Sequence, residues 1–281
     1  MSALGPSEIS LRRRPLLVLA ICTVRLVLGF CLSLPLASLV AGSGVGQRAE
    51  GDRALFEAGG YLLLELLRTQ GDALSATLRG LSPLLGLGLL VGAACNLVLM
   101  IALNVRGRLA SFAWLGQAWA RFPAQLVISA GAGLSKLLLV VLATIALGAV
   151  PAWATEPIAT TLAQAASVLP FLLALGAVGG FEDVAKAALV RHEATLQQGL
   201  ARAVLCARRR PLLALWGWLP YAALLGLAAL VAAELTAGID VAGASATRVV
   251  AVFVAHQLVV AIGITCRAAW FARALRLAAT T

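Results

Sequence analysis

Six runs of this chain, residues 15–42, 82–104, 123–150, 161–180, 211–237 and 248–271, are each about twenty residues or longer and hold almost no charge. A helix rises about 1.5 Å per residue, so about twenty residues cross the roughly 30 Å hydrocarbon core of a bilayer. Backbone placed in lipid must satisfy its own hydrogen bonds, which an α-helix does within one segment. Composition points the same way. The chain is 61% apolar and 12% charged, with a mean hydropathy of +0.97. A soluble domain carries about 25% charged residues, so too little polar surface remains here to cover a soluble globule. The expected fold class is all-α: a polytopic transmembrane helical bundle, six spans in three hairpins with short amphipathic surface helices. The whole of 1–281 reads as a single integral membrane domain.

Charge orients that bundle. Fifteen Lys and Arg residues fall on the loops of one side and five on the other, four of those five in the large loop 43–81. Cytoplasmic loops carry the excess of cations, so both termini are expected inside. The first run exceeds the roughly 7–15 residues of a signal-peptide core and is interrupted by Arg25, so it reads as a retained anchor. The net charge of +10 does not imply nucleic acid, because the arginines cluster at the ends of apolar runs with no basic stripe interleaved with stacking aromatics.

Local signals set the expected helix ends. In the outer loop, Tyr61–Leu67 is apolar but too short to span, and Asp72 opens a further turn or two. Ser82-Pro83 opens the second span, with a hydroxyl at N-cap and Pro at N1. That span holds Gly88-x-x-x-Gly92, a spacing that permits close helix contact. A short stretch to Arg121, with Trp114 and Trp119, reads as an interfacial helix before the third span opens at Pro123. Pro170 is expected to kink the fourth.

Segment 181–210 is the longest polar stretch between apolar runs. Glu182 and Asp183 suit the first turn of a helix opening after Gly179-Gly180, with Lys186 placed to pair with either. Thr195 and Gln198 form a capping-box pattern. The helix that follows carries Leu196, Leu200 and Val204 as a narrow apolar stripe and ends in Arg208-Arg209-Arg210-Pro211. Two readings stay open: a solvated anchor with two surface helices, or a docking surface. In the second, Asp183, Lys186, Arg202, Arg208, Arg209 and Arg210 meet a membrane or cytoplasmic protein partner or anionic headgroups.

Residues 12–17 and 208–213 are both RRRPLL, and Arg121-Phe122-Pro123 opens the third span similarly. Either three hairpins repeat one plan, or Arg-Pro is simply a good inner helix start. With Asp183-x-Ala185-Lys186 and Leu189-Val190 after the fourth run, this plan resembles a loose group of bacterial six-helix inner-membrane proteins. These are distantly similar to the membrane domain beside some glycerophosphodiester phosphodiesterases. The resemblance implies membrane embedding and a lipid- or partner-related role. The phosphodiesterase catalytic domain is absent, so its activity does not carry over.

Charge within a span marks a functional candidate, because its burial is costly unless paired. Arg25 lies roughly 15 Å and Lys136 roughly 20 Å along their helices from the inner end, at about 1.5 Å per residue. Asn96 falls near the depth of Arg25, and His256 and Gln257 near that of Lys136. With no carboxylate expected at either depth, these five residues form a candidate intramembrane polar site for an anionic ligand. The alternative is that Arg25 bonds backbone carbonyls and Asn96 while Lys136 snorkels.

Ser245 and His256 resemble the serine and histidine of rhomboid proteases, but they lie on or beside one span and the second Gly of the serine motif is missing. HExxH, Walker A and GxGxxG are absent. The five cysteines show no metal or redox spacing and read as small hydrophobes. No catalytic residues, metal or cofactor are expected. The expected function is a non-catalytic membrane component binding protein partners or lipids; the alternative is a small permease or transporter subunit for an anionic or lipid substrate.

Overall fold

In a computed structural model of the chain, the structure describes residues 15–42, 70–105, 113–149, 157–237 and 246–280, with Gly5, Ile9 and Arg68. Its helices are α1 (Pro15–Gly42), α2 (Gly71–Asn104), α3 (Ala113–Gly148), α4 (Pro157–Arg191), α5 (Leu196–Arg209), α6 (Pro211–Trp216), α7 (Leu219–Ala237) and α8 (Ala246–Ala278). The protein is all-α. Six of its segments are long and apolar enough to cross a membrane: Pro15–Pro35, Gly71–Asn104, Gly116–Gly148, Thr160–Arg191, Pro211–Leu235 and Val250–Ala278. This is a multi-pass membrane protein. The expected helix at Tyr61–Leu67, Arg12–Arg14 of the first RRRP and Ser245 lie outside the described residues.

Helices run further than local signals indicate. Pro83 does not open α2 but sits inside it, and Asp72 occupies its first turn. Pro83 cannot donate to the carbonyl of Arg79, four residues back. The Ser82 hydroxyl donates to that carbonyl instead, at 2.7 Å, which offsets part of the loss. Pro123 lies inside α3, so the stretch before it is no separate surface helix and the third Arg-Pro is no helix start. Trp119 is 78% exposed and stacks on Phe122 with centroids 6.0 Å apart. The fourth run continues past Gly179-Gly180 to Arg191. Glu182 and Asp183 are therefore mid-helix, not in a first turn. The fifth run breaks at Gly217-Trp218, between α6 and α7.

Where the signal is local and complete, it holds. Thr195 caps α5 as expected: its hydroxyl accepts from Gln198 N–H, and the Gln198 side chain accepts from Thr195 N–H. Thr195→Ala is expected to destabilise α5 by about 0.5–2 kcal/mol. Faster amide exchange confined to residues 196–200 in detergent would show it; unchanged protection would mean packing alone holds this end. The turn before the cap is less obvious. Glu193 has φ 50, a left-handed position usually left to glycine, and its carboxylate pairs with Arg121 at 3.1 Å.

Contacts divide the chain into two compact units. The first takes Met1–Arg14, Asn96–Ala222 and Arg267–Thr281; the second takes Pro15–Cys95 and Ala223–Cys266. In the second unit, α8 approaches α7 where Gly263 meets Leu225. Much of its surface is apolar: Leu89 is 78% exposed and Leu230 65%. Such a surface needs lipid or protein over it. Gly88 and Gly92 have nothing within 4 Å of a built Cβ, so among the described residues this spacing marks no close helix contact.

The first unit holds most of the core. Leu97, Leu99 and Met100 of α2, Val184 and Leu189 of α4, Ala203 of α5, and Trp270, Phe271 and Leu275 of α8 are buried. Helix α4 packs against α3, α5 and α6. Its closest approach is at Gly180, where a Cβ would sit 2.3 Å from the Leu215 carbonyl oxygen of α6. Four residues earlier, the carbonyl of Gly176 accepts the Trp218 indole N–H at 3.0 Å.

Candidate functional site

Two adjacent carboxylates on α4 organise the first unit. Consecutive helical residues point about 100° apart, so Glu182 and Asp183 address different neighbours. Glu182 takes the ammonium of Lys136 from α3 at 2.6 Å and that of Lys186, one turn on, at its other oxygen. Asp183 takes a bidentate grip from Arg267 of α8, at 2.6 and 2.7 Å. The indole N–H of Trp270 adds a third bond at 2.8 Å. The Arg267 guanidinium also lies 4.4 Å over the ring of Phe271. Arg267, Trp270 and Phe271 follow i, i+3, i+4 spacing, so one face of α8 supplies all three.

The cluster is largely dry. The Asp183 side chain is 3% exposed and the Glu182 side chain 11%. Each carboxylate is paired and hydrogen-bonded, the condition under which buried charge is tolerated. Three cations face two carboxylates, leaving one positive charge in excess. Lys136 and Arg267, with side chains 37% and 38% exposed, are the members that open outward, and Lys186 at 5% is enclosed.

A second polar set closes the end of α4. Arg191 donates to Asn104 Oδ1 at 2.7 Å, and the His192 Nε2–H donates to the Ala278 carbonyl at 2.8 Å. Asn104, Arg191 and His192, with Gln117, Arg121 and Glu193, line a polar cavity of about 310 Å³. On α5, Gly199, Ala203 and Cys206 are the buried face. A Cβ on Gly199 would meet the Leu189 side chain at 3.4 Å. Burial pushes the Cys206 thiol up against the opposite pull of Arg210, in keeping with a small hydrophobe. All five cysteines are free.

The leucine stripe of α5 has a different use from the one expected. Leu196 and Leu200 do not lie open on a surface. They form one wall of an apolar groove of about 530 Å³, whose other walls are Val127, Gly131 and Ser135 of α3 and Ala177 and Phe181 of α4. Glu182 is the charged residue in that lining, so the ion-paired cluster sits at the groove. Comparison with protein-family models, curated proteins and solved structures gave no match.

The expected intramembrane residues fall in both units. Lys136 and Asn96 belong to the first unit, and Arg25, His256 and Gln257 to the second. Lys136 is not without an acid, because α4 continues as a helix and brings Glu182 to it. His256 is exposed, and its ring bonds the Val252 carbonyl of its own helix at 2.8 Å; Gln257 and Arg25 are half-buried.

The expected docking surface divides too. Asp183 and Lys186, only 2% and 4% exposed, are core residues engaged with Arg267 and Glu182, not surface groups. Arg202 is half-buried, and Arg208, Arg209 and Arg210 are exposed. Sequence reasoning missed Glu182, Arg267 and Trp270 as members of one cluster. The available signal was a Trp one turn after an Arg in an apolar run, since a buried indole N–H and a buried guanidinium each need an acceptor.

Proposed function

We propose that the chain is a non-catalytic component of a bacterial inner membrane, with both termini cytoplasmic, that acts by binding lipid. The observation that carries this is the apolar groove between α3, α4 and α5, which meets the Lys136–Glu182 pair. An acyl chain fits the leucine-lined trough, and the one excess positive charge of the cluster beside it suits an anionic headgroup. The positive-inside bias supports the orientation, and the resemblance to six-helix inner-membrane proteins agrees with a lipid-related role. A permease passing an anion along Arg25 and Lys136 is less well supported, because it drew on a lysine without a carboxylate.

Gly131 provides the test. It lines the groove and a Cβ there meets nothing within 4 Å, so the side chain of Gly131→Phe starts into open space and is expected to occupy the groove. Extraction in native-lipid particles followed by lipid mass spectrometry is expected to show a defined lipid enriched over the bulk membrane. Gly131→Phe should abolish the enrichment, and Gly88→Phe, in the other unit, should leave it intact. A lipid profile equal to bulk membrane in the unmodified protein would sink the proposal. A protein partner at fixed stoichiometry with no enriched lipid would replace it.

A further inference from the structure

Away from the groove, three arginines from two helix ends border one concavity. Arg210 closes α5, Arg273 and Arg276 lie in the last turns of α8, and Tyr221 and Thr280 complete the polar lining of a space of about 430 Å³. No acidic residue lines it. Among the described residues none of the three guanidiniums is ion-paired, whereas Arg121 and Arg267 both are.

Cations near a helix C-terminus often serve its last carbonyls, but here that need is largely met elsewhere. The Ala278 carbonyl accepts from His192, and the Leu275 and Leu277 carbonyls accept from the N–H groups of Ala279 and Thr280. Only Arg276 turns back on its own helix, through Nε to the Ala272 carbonyl at 3.3 Å. That contact leaves its two terminal nitrogens available.

We propose that Arg210, Arg273 and Arg276 form a binding site for a phosphate group. Guanidinium forks match phosphate oxygens in pairs and hold charge at every pH of interest. Three of them around one concavity suit a dianionic phosphate monoester better than a single-charge carboxylate. Tyr221 adds a hydroxyl that donates to a remaining oxygen, whereas the Thr280 hydroxyl already donates to the Leu277 carbonyl at 2.8 Å and lines the space without serving as a donor. The phosphate belongs either to a lipid headgroup or to a soluble phosphate ester. The site shares no lining residue with the apolar groove, so it stands or falls separately from the lipid reading of that groove.

The test uses the full chain in nanodiscs of phosphatidylcholine, with and without phosphatidic acid. Inorganic phosphate is titrated by calorimetry, and bound lipid is counted by native mass spectrometry. The Arg273→Gln/Arg276→Gln variant is expected to weaken phosphate-group binding by about a hundredfold, at about tenfold for each lost charge-assisted contact. Arg208→Gln/Arg209→Gln removes the same charge from exposed positions outside the lining and should weaken it less than about threefold, the scale of exposed charge effects. If the double variant on α8 fails to fold, Arg210→Gln on the other helix end reads the same site, with a loss of about tenfold.

Saturable binding of inorganic phosphate that competes with phosphatidic acid would assign the site to the phosphate group itself. Retention of phosphatidic acid alone would assign it to a lipid headgroup. Equal loss in the lining and exposed variants would mean general basicity and overturn the proposal. So would absence of binding by both probes.

Discussion

Asp183→Asn is expected to cost about 3–5 kcal/mol, the range for breaking a buried, hydrogen-bonded ion pair by removing one partner. The carboxylate accepts three bonds, two from Arg267 and one from Trp270. Asparagine keeps the shape but turns one oxygen into an NH₂ donor, which then faces donors. The Arg267 charge is left without its counter-charge against the Phe271 ring. Its side chain is 38% exposed, so water relieves part of the penalty and the lower half of the range is expected. Thermal unfolding in detergent measures this as a large fall in Tm. Asp183→Asn/Arg267→Gln should recover much of it, because two neutral amides again complement each other. A Tm for Asp183→Asn within error of the unmodified protein would mean the grip on α8 is not what secures this unit. Lys136→Met should cost far less, about 0–1 kcal/mol, since Glu182 keeps Lys186.

The contrast between those two cations bears on what the chain discloses by itself. Lys136 and Arg267 are each 46 and 84 residues from their carboxylates, so no local pattern pairs them. Apolar length is a property each run carries alone, and all six membrane-crossing segments were legible from it. The Thr195 cap was legible because both of its bonds join residues three apart. Helix ends were not. Pro83 and Pro123 carry the signature of a helix start, yet a proline within a helix looks the same in sequence when other groups serve the freed carbonyl, as Ser82 does for Arg79. Topological counting hid Arg267 as well. An arginine at the end of an apolar run satisfies the positive-inside pattern whether it faces water or a buried Asp183.

Gly180→Ala is expected to destabilise the protein by about 1–3 kcal/mol or more, the cost of forcing an extra carbon into a packed contact. The added Cβ would lie 2.3 Å from the Leu215 carbonyl oxygen and 2.9 Å from that of Ala214. Both are backbone atoms, so relief requires α6 to move away from α4 as a whole. That movement would also pull Trp218 from the Gly176 carbonyl, and a shift in tryptophan emission should accompany the lower Tm. Gly88→Ala adds the same carbon to a helix and should have the opposite sign, raising stability by about 0.5–1 kcal/mol through reduced backbone entropy in the unfolded chain. Both glycines belong to a Gly-x-x-x-Gly spacing, Gly176–Gly180 and Gly88–Gly92, so the motif alone predicts equal penalties. The structure predicts unequal ones, because a small-residue spacing becomes a contact only where another backbone fills the space it leaves. Equal losses in the two variants would mean that Gly88 and Gly92 are covered in the membrane, by a second chain or by another part of this one. Loss at Gly180 alone would fix the approach of α4 to α6 as the tight seam of the first unit.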